Sequence, residues 1–314
     1  MHFGIERIEE NGSAMIYLAD HRNGTRVGID PQHGAMLHHF SISVADNRLN
    51  VIDSYASEAE LEQQQHLSYK SAKLSPFVCR TAEGRYRFDD QEYHFDNLFK
   101  DGSAIHGLLS DQPFEETEAF VTENNACLTL QHTYRGRDRG YPFSYTCIVR
   151  YTLCPDNRLD IQTTIESHEN GPIPIADGWH PYFTLGGNAD DWQLQFNSTR
   201  VLEFTDKLIP SGKILEDARF KTGISLQGIR LDNCFILDEG KDHQPDCILL
   251  NPATGTKLQL FALSGYPYLQ VYIPDDRKSI AIEPLSGAPD CFNNHMGLIR
   301  LKGKIDFRLR LEVR

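Results

Sequence analysis

Ile305-Asp306-Phe307-Arg308-Leu309-Arg310-Leu311-Glu312-Val313 alternates apolar and charged side chains without a break. A period of two puts one set of side chains on a packed face and the other in water, which is the pattern of a half-buried β-strand. The same period runs through Leu159, Ile161, Thr163 and Ile165, set against Asp160, Gln162, Thr164 and Glu166. That stretch follows Ser144–Leu153 across the turn residues Pro155-Asp156-Asn157, so the two predict a hairpin. Arg85–Phe88 and Glu92–Phe95, joined through Asp89-Asp90-Gln91, predict a second. Lys257–Ala262 and Tyr268–Ile273, joined through Ser264-Gly265-Tyr266-Pro267, predict a third. Helix is scarce. The one candidate is Ser57–His66, where Ser57 and Glu60 make a capping-box pattern before a Gln-rich run. Many short strands between turn signals predict stacked antiparallel sheets. With no linker, low-complexity tract or internal repeat, residues 1–314 are expected to form one large domain.

The composition supports this reading and excludes several functions. Hydrophobic residues make up 40% and charged residues 24%, enough apolar mass for a large core. Asp and Glu outnumber Lys and Arg, 44 to 31, leaving a formal charge of −13. Such a surface repels phosphate backbones and anionic lipids, so neither nucleic acid nor membrane is expected as a partner. Solubility alone accounts for the acidity. The seven cysteines (Cys79, Cys127, Cys147, Cys154, Cys234, Cys247 and Cys291) are odd in number and contain no C-x-x-C pair. That disfavours a disulfide framework or a zinc ribbon and favours buried thiols. Residues 1–15 show no apolar signal region, and no run is long enough to span a membrane, so a cytoplasmic location is expected.

Thirteen histidines raise the question of a metal. There is no H-E-x-x-H motif, and the neighbours His38 and His39 would face opposite sides of a strand, so no metal and no cofactor are expected. P-loop, G-x-G-x-x-G and G-x-S-x-G motifs are also absent.

Polar residues do stand in apolar or proline-bounded strand ends at five places. These are Pro76-Phe77-Val78-Cys79-Arg80, Ala104-Ile105-His106-Gly107-Leu108, Asp177-Gly178-Trp179-His180-Pro181-Tyr182-Phe183, Leu231-Asp232-Asn233-Cys234-Phe235 and Ile280-Ala281-Ile282-Glu283-Pro284. His180 sits among aromatics before a proline that favours extended backbone. Taken alone, it is more readily a core histidine bonded to a carbonyl. Glu283 ends an apolar run, where desolvation would raise its pKa and make it a better base, or where an arginine would pair with it. Arg80 reads equally as a structural ion pair, and Asp232 as a turn residue.

Together the five segments resemble the aldose 1-epimerase (galactose mutarotase) family. The resemblance runs from about Arg80 to Asn293 and includes Gly84-Arg85-Tyr86-Arg87-Phe88 and Pro289-Asp290-Cys291-Phe292-Asn293. It implies an all-β fold, a large antiparallel β-sandwich with a sugar cleft. It also implies that Glu283 is the general base and His180 the general acid, with Arg80, His106 and Asp232 binding the sugar. The chemistry suits these residue types: opening a cyclic hemiacetal takes the proton from the C1 hydroxyl and gives one to the ring oxygen, work for a carboxylate and an imidazole. The family's best-known branch has Asn-Arg-Ile where this chain has Cys79-Arg80-Thr81, Asn-His where it has Trp179-His180, and Gln soon after Glu-Pro where it has Leu285. The acid and base positions match while the pocket-shaping ones differ, which leaves the sugar open. Trp179 could present an aromatic face to it.

Other readings stay open at this point. A glycoside hydrolase would need two carboxylates, with Asp232 and Glu283 as the available pair. A non-catalytic carbohydrate-binding or regulatory protein would need no acid–base pair. A sugar-phosphate epimerase would need extra cations, with Arg135, Arg137 and Arg139 to hand. A monomer or homodimer is expected in each case.

Overall fold

The two alternating segments lie side by side in the computed structural model, which describes residues 2–10, 13–44, 47–239 and 244–314. Strand Lys304–Val313 runs antiparallel to strand Arg158–Ser167, with Leu311 opposite Leu159, Leu309 opposite Ile161 and Phe307 opposite Thr163. All six of these side chains are buried. A cross-strand pair contributes roughly 0.2–1 kcal/mol, whereas burying a Leu or Phe side chain contributes about 1.5–3 kcal/mol. Burial of this face therefore dominates, and it fixes the register, because a one-residue slip would turn the apolar set into water.

These strands are central to a nine-stranded antiparallel sheet that starts at Glu115–Val121 and includes Ala126–Arg135, Ser144–Cys154, Lys257–Ser264 and Cys247–Leu250. A second large sheet runs in order through Pro210–Glu216, Ser198–Phe204, Asp232–Leu237, Tyr268–Tyr272, Ile280–Leu285, Gly178–His180 and Ala72–Leu74. Side chains of both sheets join one contiguous apolar cluster, among them Tyr145, Val149, Leu309, Leu269, Val271 and Ile282, so the protein is an all-β sandwich. A five-stranded sheet over Phe3–Asn50 is fastened to the first, with the buried Tyr151 hydroxyl donating to the Ala35 carbonyl at 2.7 Å. All seven cysteines are buried free thiols.

The predicted helix forms as Glu58–Ser68, two residues beyond the expected end, with Ser57 as its N-cap. Ser57 Oγ accepts from the Glu60 amide at 3.2 Å, and Glu60 returns to the Ala56 amide at 2.8 Å. The helix stops at Tyr69, which is in the left-handed conformation (φ 51°). The first two hairpins form as expected. The third does not. Lys257–Ser264 pairs with Cys247–Leu250 and Lys304–Val313 in the first sheet, while Tyr268–Tyr272 pairs in the second. The link between them is a crossing from layer to layer. Gly265 (φ 84°) makes the sharp bend where a Cβ would lie 2.5 Å from the Phe307 ring, and Tyr266 plunges into the core to donate to Asp177 at 2.8 Å. Turn residues signal a reversal but not which sheet the chain re-enters.

Candidate active site

The second sheet builds the floor of a cavity of about 270 Å³ whose lining includes Arg80, His106, His180, Asp232 and Glu283. Glu283 stands inside strand Ile280–Leu285, not at its end, because pairing continues past Pro284 to Leu285. Every residue of that strand is buried. On one side Glu283 faces Gln270 of strand Tyr268–Tyr272. On the other, the neighbouring chain breaks at Pro181, between Gly178–His180 and Tyr182–Phe183, which leaves His180 beside Glu283. His180 Nε2 lies 3.3 Å from Glu283 Oε1.

Two short segments close the cavity from above the sheet. Arg80 pairs in register with Ile105, and the His106 amide donates to the Cys79 carbonyl at 2.8 Å. His106 (φ 60°) and Gly107 (φ 80°) are both left-handed, which turns the His106 ring toward His180. Gly107 is obligatory there, because a Cβ would lie 2.4 Å from the Ser75 carbonyl oxygen. The rings form a series: Tyr69 to His106 at 4.6 Å, His106 to His180 at 4.8 Å, and His180 stacked on Tyr182 at 5.1 Å. Arg80 donates to Asp101 at 2.9 Å, so it is both an ion-pair member and a cavity residue. Asp232 accepts from Gln270 at 2.7 Å.

Burial sets the ionisation. Glu283 is pushed well above the ordinary carboxylate range, first by desolvation and then by Asp232, with the Arg80 charge working the other way. Desolvation lowers His180 to about 4. It also lowers His106 well below the ordinary imidazole range, with the neighbouring His180 and Arg80 adding to the shift. Asp232 is raised by burial, against Arg80 and the Gln270 hydrogen bond. Buried Glu283 Oε2, His106 Nδ1 and Gln270 Oε1 have no hydrogen-bond partner among the described residues. Buried polar atoms are normally satisfied, so unpaired ones at a cavity suit a polar, hydroxyl-bearing ligand. His106, His180 and Glu283 also bring two imidazoles and a carboxylate within 4.8 Å of one another, and these are the residues that could hold a metal ion. The resemblance places these three residues at one sugar site, and no sequence motif suggests a metal there, because they are far apart in the chain.

The structure corrects one expectation and supplies residues the sequence did not single out. Trp179 does not face the cavity. It is buried behind the strand with the Lys73 ammonium 4.5 Å from its ring centroid, because successive strand residues point to opposite faces. The Phe and Tyr side chains on the cavity are Tyr69, Phe99, Tyr182, Phe204 and Tyr272. Gln270 and Lys100 also line it, while Leu285 does not. Gln270 could have been found as the one amide in the apolar run Tyr268–Tyr272. Arg135 and Arg137 lie on a neighbouring cavity, and Arg139 pairs with Asp96 on the surface. Among the described residues no helix is long and apolar enough to cross a membrane.

A family model described as aldose 1-epimerase matches residues 15–305. Among curated relatives, the uncharacterized protein YihR of Escherichia coli is 25% identical over 79% of this chain and 79% of its own length. A maltose epimerase of Levilactobacillus brevis is 23% identical over 85% of this chain and 78% of its own. A crystal structure of a galactose mutarotase-like protein from Clostridium acetobutylicum superposes with a TM-score of 0.89 at 15% identity, covering 100% of this chain and 99% of that one. A galactose 1-epimerase from Lactobacillus acidophilus superposes with a TM-score of 0.81 at 17% identity, covering 99% of this chain and 98% of that one.

Proposed function

The chain belongs to the aldose 1-epimerase family, and on that premise we propose that it interconverts the α and β anomers of a free aldose. The observation that carries the proposal is the contact between His180 Nε2 and Glu283 Oε1 at 3.3 Å, buried at the floor of a cavity of about 270 Å³. In this reading Glu283 takes the proton of the C1 hydroxyl. The C1–ring oxygen bond breaks, its electron pair goes to the ring oxygen, and His180 protonates that oxygen. The open aldehyde rotates about C1–C2, and closure on the other face with the proton transfers reversed gives the other anomer. Arg80, His106 and Asp232 hold sugar hydroxyls through charge-assisted and neutral hydrogen bonds. Side chains supply both proton transfers, so the proposed reaction uses no metal and no cofactor.

The maltose epimerase relative and the fold fit a sugar substrate with a free reducing end. A second reading, an aldose carrying an anionic group such as phosphate, is favoured by one observation: the Lys100 ammonium lines the cavity, 5.5 Å from the Phe99 ring centroid, with no carboxylate partner among the described residues. Anomer-resolved NMR on freshly dissolved aldoses, neutral and phosphorylated, tests both. Faster equilibration than the buffer rate for at least one sugar is expected. No acceleration for any member of a broad panel would contradict the assignment.

A further inference from the structure

The cavity that holds the acid–base pair is small. Ligand pockets commonly run from about 300 to 1,000 Å³, and at about 270 Å³ this one suits a single sugar ring. Immediately beside it lies a second cavity of about 640 Å³. Tyr69, Phe99 and Ile105 line both. Flanking residues divide between the two: Ser68, Lys100 and His106 face the inner cavity, and His66, Leu98 and Gly107 the outer. The three shared residues therefore stand as an apolar rim between the two chambers. The ring series from His180 through His106 to Tyr69 leads from the acid to that rim.

Resting on the proposed anomer interconversion, we propose that the outer cavity is a glycosyl subsite, and that the preferred substrate is a reducing disaccharide or longer saccharide rather than a monosaccharide. Its reducing ring occupies the inner cavity, and a substituent leaving that ring on the His106 side crosses the rim into the outer one. The rim suits this role, since the aromatic rings of Tyr69 and Phe99 match the apolar faces of pyranoses. The outer cavity carries the polar groups a glycosyl unit needs. Arg135 and Arg137 line it, and neither guanidinium has an ion-pair partner among the described residues, while Gln112 and His132 add further hydrogen-bonding groups. Asp96, already paired with Arg139, lines the same space with Asp111 and Asp138, so carboxylates balance the two cations and the chamber offers no net positive field for an anion. Its chemistry matches a neutral, hydroxyl-rich unit.

The test compares glucose, maltose and glucose 6-phosphate on the wild type and on the double variant Arg135→Ala/Arg137→Ala. Binding is read by calorimetry and turnover by anomer-resolved NMR. Neither arginine belongs to the acid–base site, so glucose serves as an internal control. The expected result is that maltose binds the wild type about tenfold or more tighter than glucose, as one or two hydrogen bonds to charged groups would give, and that the double variant loses this advantage while glucose is unaffected. Equal binding of glucose and maltose to the wild type would overturn the subsite. So would a maltose advantage that survives the double variant, or a preference for glucose 6-phosphate that the double variant abolishes. Because binding is measured apart from turnover, tight maltose binding without anomer interconversion would count against the proposed reaction and leave the subsite standing.

Discussion

At the scale of the residue, burial pushes Glu283 and His180 in opposite directions, and both toward neutrality. Two groups 3.3 Å apart exchange protons as a unit. Between its two titration steps the pair carries one proton, which burial places on Glu283, and the proposed forward step runs from the tautomer with that proton shifted to His180, leaving carboxylate as base and imidazolium as acid. Below the lower step both groups are protonated and no base remains. Above the upper step both are bare and no acid remains. The expected kcat/KM profile is therefore a bell, with its acid limb below the ordinary imidazole range and its alkaline limb above the ordinary carboxylate range. Initial rates against pH, corrected for the spontaneous reaction, check this, and a single rise centred on an ordinary histidine would contradict it. His180 and Glu283 were legible in the sequence because a polar side chain in an apolar, proline-bounded run needs a reason. Gln270 carries the same signal, a lone amide in the apolar run Tyr268–Tyr272, but its place opposite Glu283 follows only from the sheet register. Trp179 adjoins His180 in sequence but not on the cavity, because successive strand residues face opposite sides of the sheet.

At the scale of the element, the strands themselves were legible and their partners only partly so. Alternation fixed the strands Arg158–Ser167 and Lys304–Val313, and short turns fixed two hairpins. The crossing at Gly265 carries the same turn residues as a hairpin, and what separates the two cases is the packing of Tyr266 between the layers, a long-range fact. The segment Ile105-His106-Gly107 shows how a small element positions the site. Replacing Gly107 by alanine forces a Cβ into the Ser75 backbone at a left-handed position. Backbone strain of about 1–3 kcal/mol and overpacking of about 1–3 kcal/mol then add. Gly255 is a control: it is also left-handed (φ 73°) but has open space around a would-be Cβ. Urea unfolding should show Gly107→Ala to be less stable than Gly255→Ala by at least about 1 kcal/mol. Equal losses would mean that the Ser75 contact does not constrain the loop.

At the scale of the whole molecule, a buried ion pair in the second sheet anchors the strand that carries His180. Lys73 Nζ lies 2.6 Å from Asp177 Oδ2, and both side chains are fully buried. Lys73 also donates to the Gly178 carbonyl at 3.1 Å, and Tyr266, on the crossing between the sheets, donates to Asp177. Nothing in Ala72-Lys73-Leu74 marks the pair in advance, since a lysine between apolar residues is the pattern of an ordinary strand with one side chain in water. Removing one partner strands the other charge, so Lys73→Met should cost about 3–5 kcal/mol in denaturant unfolding, whereas adding Asp177→Leu should recover part of that loss. A double variant less stable than Lys73→Met would show that the pair is not the reason for the cost. The network places strand Gly178–His180 against its neighbours and so holds His180 where it meets Glu283, and that meeting is the central claim. Glu283→Gln keeps the shape and hydrogen-bonding capacity of the side chain but cannot accept the proton. On the sugar that the wild type equilibrates fastest, anomer-resolved NMR corrected for the spontaneous rate should show kcat falling by about 10²–10⁴-fold with sugar binding retained, whereas a folded Glu283→Gln protein with near-normal kcat would contradict the account.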